Sequence, residues 1–404
     1  MSQQLNLNDP SLRQNPYPIY KIFRESEPVF WSESLQAWIF FKYDDIHTLL
    51  QEPRVVARRH HTWLNLAPPE RREQLQPVIE VLSRWLLFFD GSDHTRLRKL
   101  MNQGFAPKVI EGLLPTIQGV ATNLVEQLAS QRQFDAASQF AHLQPVIVIS
   151  NMLGVHPTDY GKVQQWSDDI SYFFTSIPIP SDACDGVIVS IFEMIDYLKD
   201  VVAERRAMPQ DDFLSVLIHA EEDGDVIHAE DLFANLVLLL MAGHETTRNL
   251  IGNAIHLLLM HPNMLQSVKL DAFFWDKVID ETLRFDSPVQ ILSRLAGEDL
   301  EVRGQPIRQG QPLFLVLGSG NHDPAHFADG DRFDIERHAE THHLAFGSGP
   351  HYCVGFPLAR AEAKIALTTL FERFPNLSLD PDREKAWIPN TRFRGLKSLP
   401  VLSN

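Results

Sequence analysis

The stretch from Glu230 to Met260 limits the possible folds more than any other part of the chain. Apolar residues recur there at helical spacing for about 30 positions, which at 1.5 Å per residue makes a helix of roughly 45 Å. Its first half is apolar on nearly all sides, so it should run through a core rather than along a surface. Its strongest apolar run, Leu236 to Gly243, is too short to span a bilayer and leads into Glu245 and Arg248. A chain of 404 residues can bury such a helix without disulfide or metal staples.

The surrounding pattern agrees. Residues 93–290 are dominated by helical spacing, broken at Pro157, Pro178 and Pro180, with a further helix from Phe273 to Phe285 stopped before Pro288. Pro10, Pro16 and Pro18 punctuate an irregular lead-in, and a helical pattern begins near Pro18. Pro28 to Tyr43 alternates apolar and polar residues around Glu33-Ser34, which predicts a strand pair, and Asp44 to Gln51 returns to helix. Residues 289–318 switch to short strand-like pieces with turns at Arg303-Gly304 and Gln309-Gly310. Residues 320–353 are irregular and rich in Gly, His, Asp and Pro, a length that usually signals function. A final helix is predicted from Val354 to Phe374. The fold class is mainly α, with a smaller β portion near both ends.

Charge and cysteine count exclude several functions. Lys plus Arg is 36 against 52 for Asp plus Glu, a formal net charge of −16, which works against non-specific binding to nucleic acid or an anionic membrane. Cys184 and Cys353 are the only cysteines, which rules out a disulfide scaffold and a four-cysteine zinc or iron–sulfur site. Two cysteines in so long a chain fit a reducing compartment. Met1 to Asn6 lacks a basic segment followed by an apolar run, so no secretory signal is expected and the predicted location is cytoplasmic.

The most informative segment is Phe346-Gly347-Ser348-Gly349-Pro350-His351-Tyr352-Cys353-Val354-Gly355. Its glycines allow a tight turn and close approach to a flat ligand. Cys353 precedes the final helix, whose free N–H groups and dipole favour a thiolate. Such a thiolate can be a nucleophile, a metal ligand or a haem ligand. The segment resembles the haem-binding loop of the cytochrome P450 family, and Leu358-Ala359-Arg360 extends the likeness. By that resemblance Cys353 is the axial ligand of a haem b iron, and Phe346, Gly347, His351 and Gly355 belong to the cofactor cradle.

Other motifs follow in the family's order. Glu281-Thr282-Leu283-Arg284 matches its Glu-x-x-Arg pair, which in the family is structural and locks its helix to a segment here resembling Phe333-Asp334 and Arg337. Read without the resemblance, the same spacing is an exposed helical ion pair of little worth. Ala242-Gly243-His244-Glu245-Thr246-Thr247 matches the oxygen-activation motif in the middle of the long helix. It implies that Ala242 and Gly243 make room for cofactor, that Thr246 hydrogen-bonds dioxygen and that Glu245 relays protons. A threonine inside a helix can also bond back to a carbonyl four residues earlier. His94 and Arg98 match a propionate-binding His-x-x-x-Arg, completed by Arg294 and His351. Asn321-His322-Asp323-Pro324 also fits.

The resemblance covers nearly the whole chain and implies one cytochrome P450 domain over 1–404, with haem between the long helix and the cysteine-loop helix. It implies a monooxygenase without fused reductase or membrane anchor, fed with electrons by a separate ferredoxin or flavodoxin. Family substrate positions offer Leu87 and Phe88, Leu238 and Met241, and Val289 and Ile291, with Trp63, Phe173 and Phe174 in the same set. Gln290 is the best polar candidate. This lining suits an apolar organic substrate, small or carrier-bound. Arg96, Arg98, Lys99, Lys108 and Lys364 form a local basic set that could dock an acidic ferredoxin. Two other functions remain at this point: a haem sensor or carrier without turnover, and a zinc hydrolase built from His342, His343, His351 and Cys353.

Overall fold

The computed structural model describes residues 10–210, 212–222, 228–270, 274–338 and 341–403. The readings of Met1 to Asn6 and of Phe273 lie outside these residues. Six helices position the site: α1 (Gly91–Gly104), α2 (Tyr160–Thr175), α3 (Ser181–Ala207), α4 (Ala229–Met260), α5 (Phe274–Phe285) and α6 (Phe356–Arg373). α4 is the predicted long helix. Glu230 and Asp231 occupy its first turn, where acidic side chains favour the helix dipole, and the run ends at His261 before Pro262.

α4 belongs to two cores in succession. Leu236, Val237 and Leu240 are buried with Phe173 of α2 and Ile191 of α3. Ile251, Ala254, Ile255 and Leu258 are buried with Val278 and Ile279 of α5 and Leu367 and Leu370 of α6. Each such side chain contributes about 1.5–3 kcal/mol. Residues 242–249 belong to neither cluster, and the site lies beside this polar mid-section.

A five-stranded sheet forms from β1 (Val29–Ser32), β2 (Ala37–Phe40), β3 (Val55–Val56), β4 (Ile291–Ala296) and β5 (Pro312–Val316), in the order β1-β2-β5-β4-β3. β1 and β2 are the predicted strand pair. β5 lies parallel to β2, with Trp38 opposite Leu313, and antiparallel to β4, with Arg294 also opposite Leu313. The lead-in is less irregular than expected, because Pro10–Gln14 forms a short helix. A second sheet joins Gln133–Asp135, Pro400–Ser403 and Leu377–Leu379, strands too short to show a period in sequence. Among the described residues no helix is long and apolar enough to cross a membrane.

Candidate active site

The long irregular stretch is held by a buried carboxylate–guanidinium pair on α5. Arg284 meets Glu281 through two bonds of 2.8 and 2.7 Å, and its remaining N–H groups donate to the carbonyls of Asn321 (2.8 Å), Gly330 (2.8 Å) and Arg332 (3.0 Å). Glu281 Oε1 also accepts the Asp334 amide at 2.8 Å and pairs with Arg337 Nε at 3.4 Å. The side chains of Glu281 and Arg284 are only 6% and 3% exposed, so the pair is a fastening inside the protein and not a solvated surface contact.

This fastening sets the cysteine loop between the helix Tyr43–Gln51 and α6. Gly347 and Gly349 have φ of +74° and +70°, the left-handed region that glycine adopts without strain. A Cβ on Gly349 would also come within 2.7 Å of the Leu50 carbonyl. Gly347 N–H donates to Leu344 O (2.8 Å), and Cys353 N–H donates to Phe346 O (3.0 Å), closing the loop on itself. α6 starts at Phe356, two residues later than predicted, yet the Gly355 and Phe356 amides still favour a thiolate at Cys353. Burial outweighs them and the nearby Arg98 charge and pushes the thiol upward, opposite to the direction expected from the helix terminus alone.

Cys353 lines an internal cavity of about 300 Å³. Ala242, Gly243, Thr246 and Thr247 of α4 line it together with Phe346, Gly347, Gly355 and Leu358 of the cysteine loop and α6. A Cβ on Gly243 would approach Ile149, which also lines the cavity, to 3.3 Å. Thr246 Oγ1 donates to Ala242 O at 2.9 Å, the predicted bond back along the helix.

Cationic and polar groups gather near Cys353. Arg294 is 3% exposed, lines the cavity and makes one bond, to its neighbour's carbonyl at Ser293 (2.8 Å). Burial lowers its pKa to about 10. His351 also lines the cavity and packs against His94, with ring centroids 4.1 Å apart and the rings tilted by 42°. The His94 Nε2 atom is buried without a partner. Burial, reinforced by His351 and Arg98, lowers the His94 pKa to about 4. It therefore offers a neutral imidazole. Arg98 is half-buried and close enough to Cys353 for their charges to interact. These residues fit a flat group bearing carboxylates at its rim, with the thiol as ligand to a metal at its centre.

A family model described as Cytochrome P450 matches residues 79–271 and 273–400. The chain belongs to the cytochrome P450 family. Cytochrome P450 CYP107DY1 of Priestia megaterium is 36% identical, covering 91% of this chain and 89% of that protein. The polyketide biosynthesis cytochrome P450 PksS of Bacillus subtilis is 34% identical over 96% of this chain and 95% of its own. The crystal structure of P450BioI in complex with hexadec-9Z-enoic acid ligated acyl carrier protein superposes with a TM-score of 0.90 at 32% identity, covering 98% of this chain and 100% of that one. This cytochrome P450 is therefore a haem-dependent monooxygenase, with the expected mainly α fold.

The remaining predicted site residues divide between the cavity and its surroundings in the P450 fold. Glu245 is 3% exposed and off the cysteine cavity; it lines a separate cleft on the other side of α4. There Oε2 pairs with Arg248 at 2.7 Å and Oε1 accepts from Asn249 at 3.2 Å. Leu87, Leu238, Met241, Val289 and Ile291 line the cavity as predicted, together with Phe174. Phe88 does not: it is 1% exposed and packed against Trp63, Trp85 and Phe174, because the aromatic cluster gains more by closing on itself. Gln290 is also absent from the cavity lining; its Nε2 donates to Ser287 O (2.8 Å) and Tyr17 Oη (3.3 Å), acceptors that hold the side chain inside the protein. The zinc grouping does not assemble. Among the described residues only His142, Asp168 and His244 bring metal-ligating atoms together, and Arg248 already donates to His142 (2.8 Å) and Asp168 (3.0 Å). Sequence reasoning missed Arg59, Phe105 and Arg392, all of which line the cavity.

Proposed function

We propose that this single cytochrome P450 domain binds haem b with Cys353 as axial ligand and inserts one oxygen atom of dioxygen into a largely apolar organic substrate held in the cavity. One observation carries the reading: Cys353 and the small-residue stretch of α4 line the same cavity. The cysteines support a haem without thioether links, because Cys184 is fully buried in the core of α2 and α3 and no second thiol accompanies Cys353. Once bound, haem supplies the redox chemistry, with the thiolate pushing electron density toward iron to favour O–O cleavage. Arg98 and Arg294 hold its propionates by charge-assisted bonds, with His94 and His351 beside them.

The remaining work falls to the protein. Thr246 presents its hydroxyl to the cavity, while the adjacent Glu245 faces the cleft, so the two residues bridge solvent and cavity through the α4 wall. Glu245 takes up protons and Thr246 delivers them. Thr246→Ala should lower product formed per electron consumed by at least about tenfold. Unchanged coupling, read as product against reductant oxidised, would remove this role.

Electrons arrive from a separate ferredoxin or flavodoxin in the cytoplasm. Support comes from α1, which carries exposed Lys99 and lies beside the cysteine loop, where Phe105 at the end of α1 approaches Gly355; exposed Lys108 follows. Lys364 pairs with Asp276, and Arg98 turns inward toward Cys353. The variants Lys99→Glu and Lys108→Glu should slow first-electron transfer several-fold at low ionic strength, with the difference shrinking as salt rises. Identical reduction traces at low salt would exclude this face.

The decisive experiment is the spectrum of dithionite-reduced protein under carbon monoxide. A strongly red-shifted Soret band is expected; a band at the imidazole-ligated position, or no haem after haem-replete expression, would overturn the assignment. Reductant-dependent product formation then separates an enzyme from a haem sensor or carrier.

A further inference from the structure

Three arginines line the cavity, Arg59, Arg294 and Arg392, and among the described residues none of them forms an ion pair with a carboxylate. Arg59 is 4% exposed and Arg392 is 6% exposed, and both line the cavity. The Nε atoms of both are buried without a hydrogen-bond partner. Arg59 makes one side-chain bond, from Nη1 to Ala57 O at 2.8 Å. Arg392 makes no side-chain hydrogen bond or ion pair among the described residues, and its guanidinium rests on the rings of Trp63 (5.7 Å) and Phe314 (5.5 Å). Arg59 lies 5.5 Å from the same Trp63 ring and 4.9 Å from Phe88, so the two charges are neighbours across one indole.

Two other buried arginines have an acid, Glu281 for Arg284 and Asp286 for Arg394, two residues beyond Arg392, whereas among the described residues buried Arg24 donates to Ser319 and buried Arg294 to Ser293 O. A buried guanidinium with no counter-charge is costly. The acid that interacts with Arg59, Asp90, is already engaged by the Ala57 and Arg58 amides at 2.9 Å each and by His351 at 3.6 Å. The two propionates of a haem would be matched by Arg98 and Arg294. Arg59, close enough to Arg294, His351 and Arg392 for their charges to interact, and Arg392 are then left over in a cavity also lined by the apolar Leu87, Phe174, Leu238 and Met241.

We infer that Arg59 and Arg392 form a carboxylate site, and that the substrate is an amphipathic monocarboxylic acid whose acid group they hold while its apolar body occupies the rest of the cavity. Two guanidinium forks converging on one carboxylate satisfy both of its oxygens, a geometry that lysine or a neutral donor would not reproduce. This rests on the reading of the cavity as the substrate chamber. It adds a charged head to the apolar substrate expected from sequence.

The test uses the holoenzyme, once its carbon monoxide spectrum has confirmed thiolate-bound haem. Straight-chain acids of eight to sixteen carbons are titrated alongside their methyl esters, with affinity read by calorimetry and by the spin-state shift. The best-bound acid should bind at least about tenfold more tightly than its ester, the scale of one buried charge-assisted contact. Arg59→Met and Arg392→Met should each remove that preference while leaving ester affinity within about twofold. A third arm uses the same acyl chain as a pantetheine thioester, in which the carboxylate is consumed; it should bind like the ester. No acid preference at any chain length in the wild-type holoenzyme overturns the inference without touching the monooxygenase assignment. So does tighter binding of the thioester than of the acid, which would point to a carrier-bound substrate. Loss of haem from the variants with acid preference intact would assign the two arginines to the propionates instead.

Discussion

Cys353→Ser will abolish the red-shifted Soret band of the reduced, carbon monoxide-bound protein and bring product formation down to background. The substitution removes one sulfur and leaves the loop's scaffold alone: the Gly347 and Cys353 amides bond to backbone carbonyls, and the left-handed glycines are untouched. Thermal unfolding of the haem-free protein should therefore shift by no more than a surface-like amount, about 0.5 kcal/mol. Retention of the band in the variant would mean that another residue ligates the iron. The same site carries a pH prediction. Burial holds the Cys353 thiol above its ordinary pKa, so the haem-free protein keeps it protonated at neutral pH. Ligation requires the thiolate, so haem loading should release a proton and strengthen as pH rises toward that raised pKa. Reconstitution in weakly buffered solution, followed with a pH indicator, reads this directly; affinity independent of pH from 6 to 8.5 would contradict it.

The second large effect is expected at Arg284. Its guanidinium makes five bonds inside the protein, two to Glu281 and three to carbonyls of the irregular stretch. Removing one member leaves a buried charge without its partner, which costs about 3–5 kcal/mol. Arg284→Lys should fail almost as badly as Arg284→Ala, because an ammonium cannot reach acceptors arranged for a planar fork. The measurement is thermal unfolding together with the fraction of purified protein that carries haem. A lysine variant that melts with the wild type would show that the three carbonyl contacts are dispensable.

The pair also shows how far sequence carries. The spacing of Glu281 and Arg284 is compatible with a solvated helix face; only the motif context marked it as internal, and burial confirms that. α4 was legible to within a residue at its start, since nothing but a core helix sustains apolar spacing so long. The β1–β2 pair was legible from alternation. The strands Gln133–Asp135 and Leu377–Leu379 were not, since three residues cannot display a period and their pairing with Pro400–Ser403 is decided by distant parts of the chain. Cys353 and Thr246 carried their signal in local motifs. Phe88 and Gln290 did not end on the cavity wall, because an aromatic cluster and two acceptors compete for them there. Arg59 and Arg392 stand in loop segments, where a cation ordinarily means a solvated surface, and only the folded chain shows that these two are inside.

The order of strands in the five-stranded sheet has a consequence in time. β2 is an early part of the chain, yet the strand it lies parallel to, β5, is synthesised about 275 residues later, which at roughly 5–20 residues per second is on the order of 15–55 s. Throughout that interval the hairpin of β1 and β2 presents an open edge on the ribosome, the kind of surface that pairs with other chains. β4, which carries Arg294, enters the sheet only with β5, so the propionate side of the cavity is among the last parts to form. The yield of haem-loaded enzyme in a cell should therefore follow how well that early hairpin is shielded, by chaperones or by lower temperature, more closely than it follows the supply of haem.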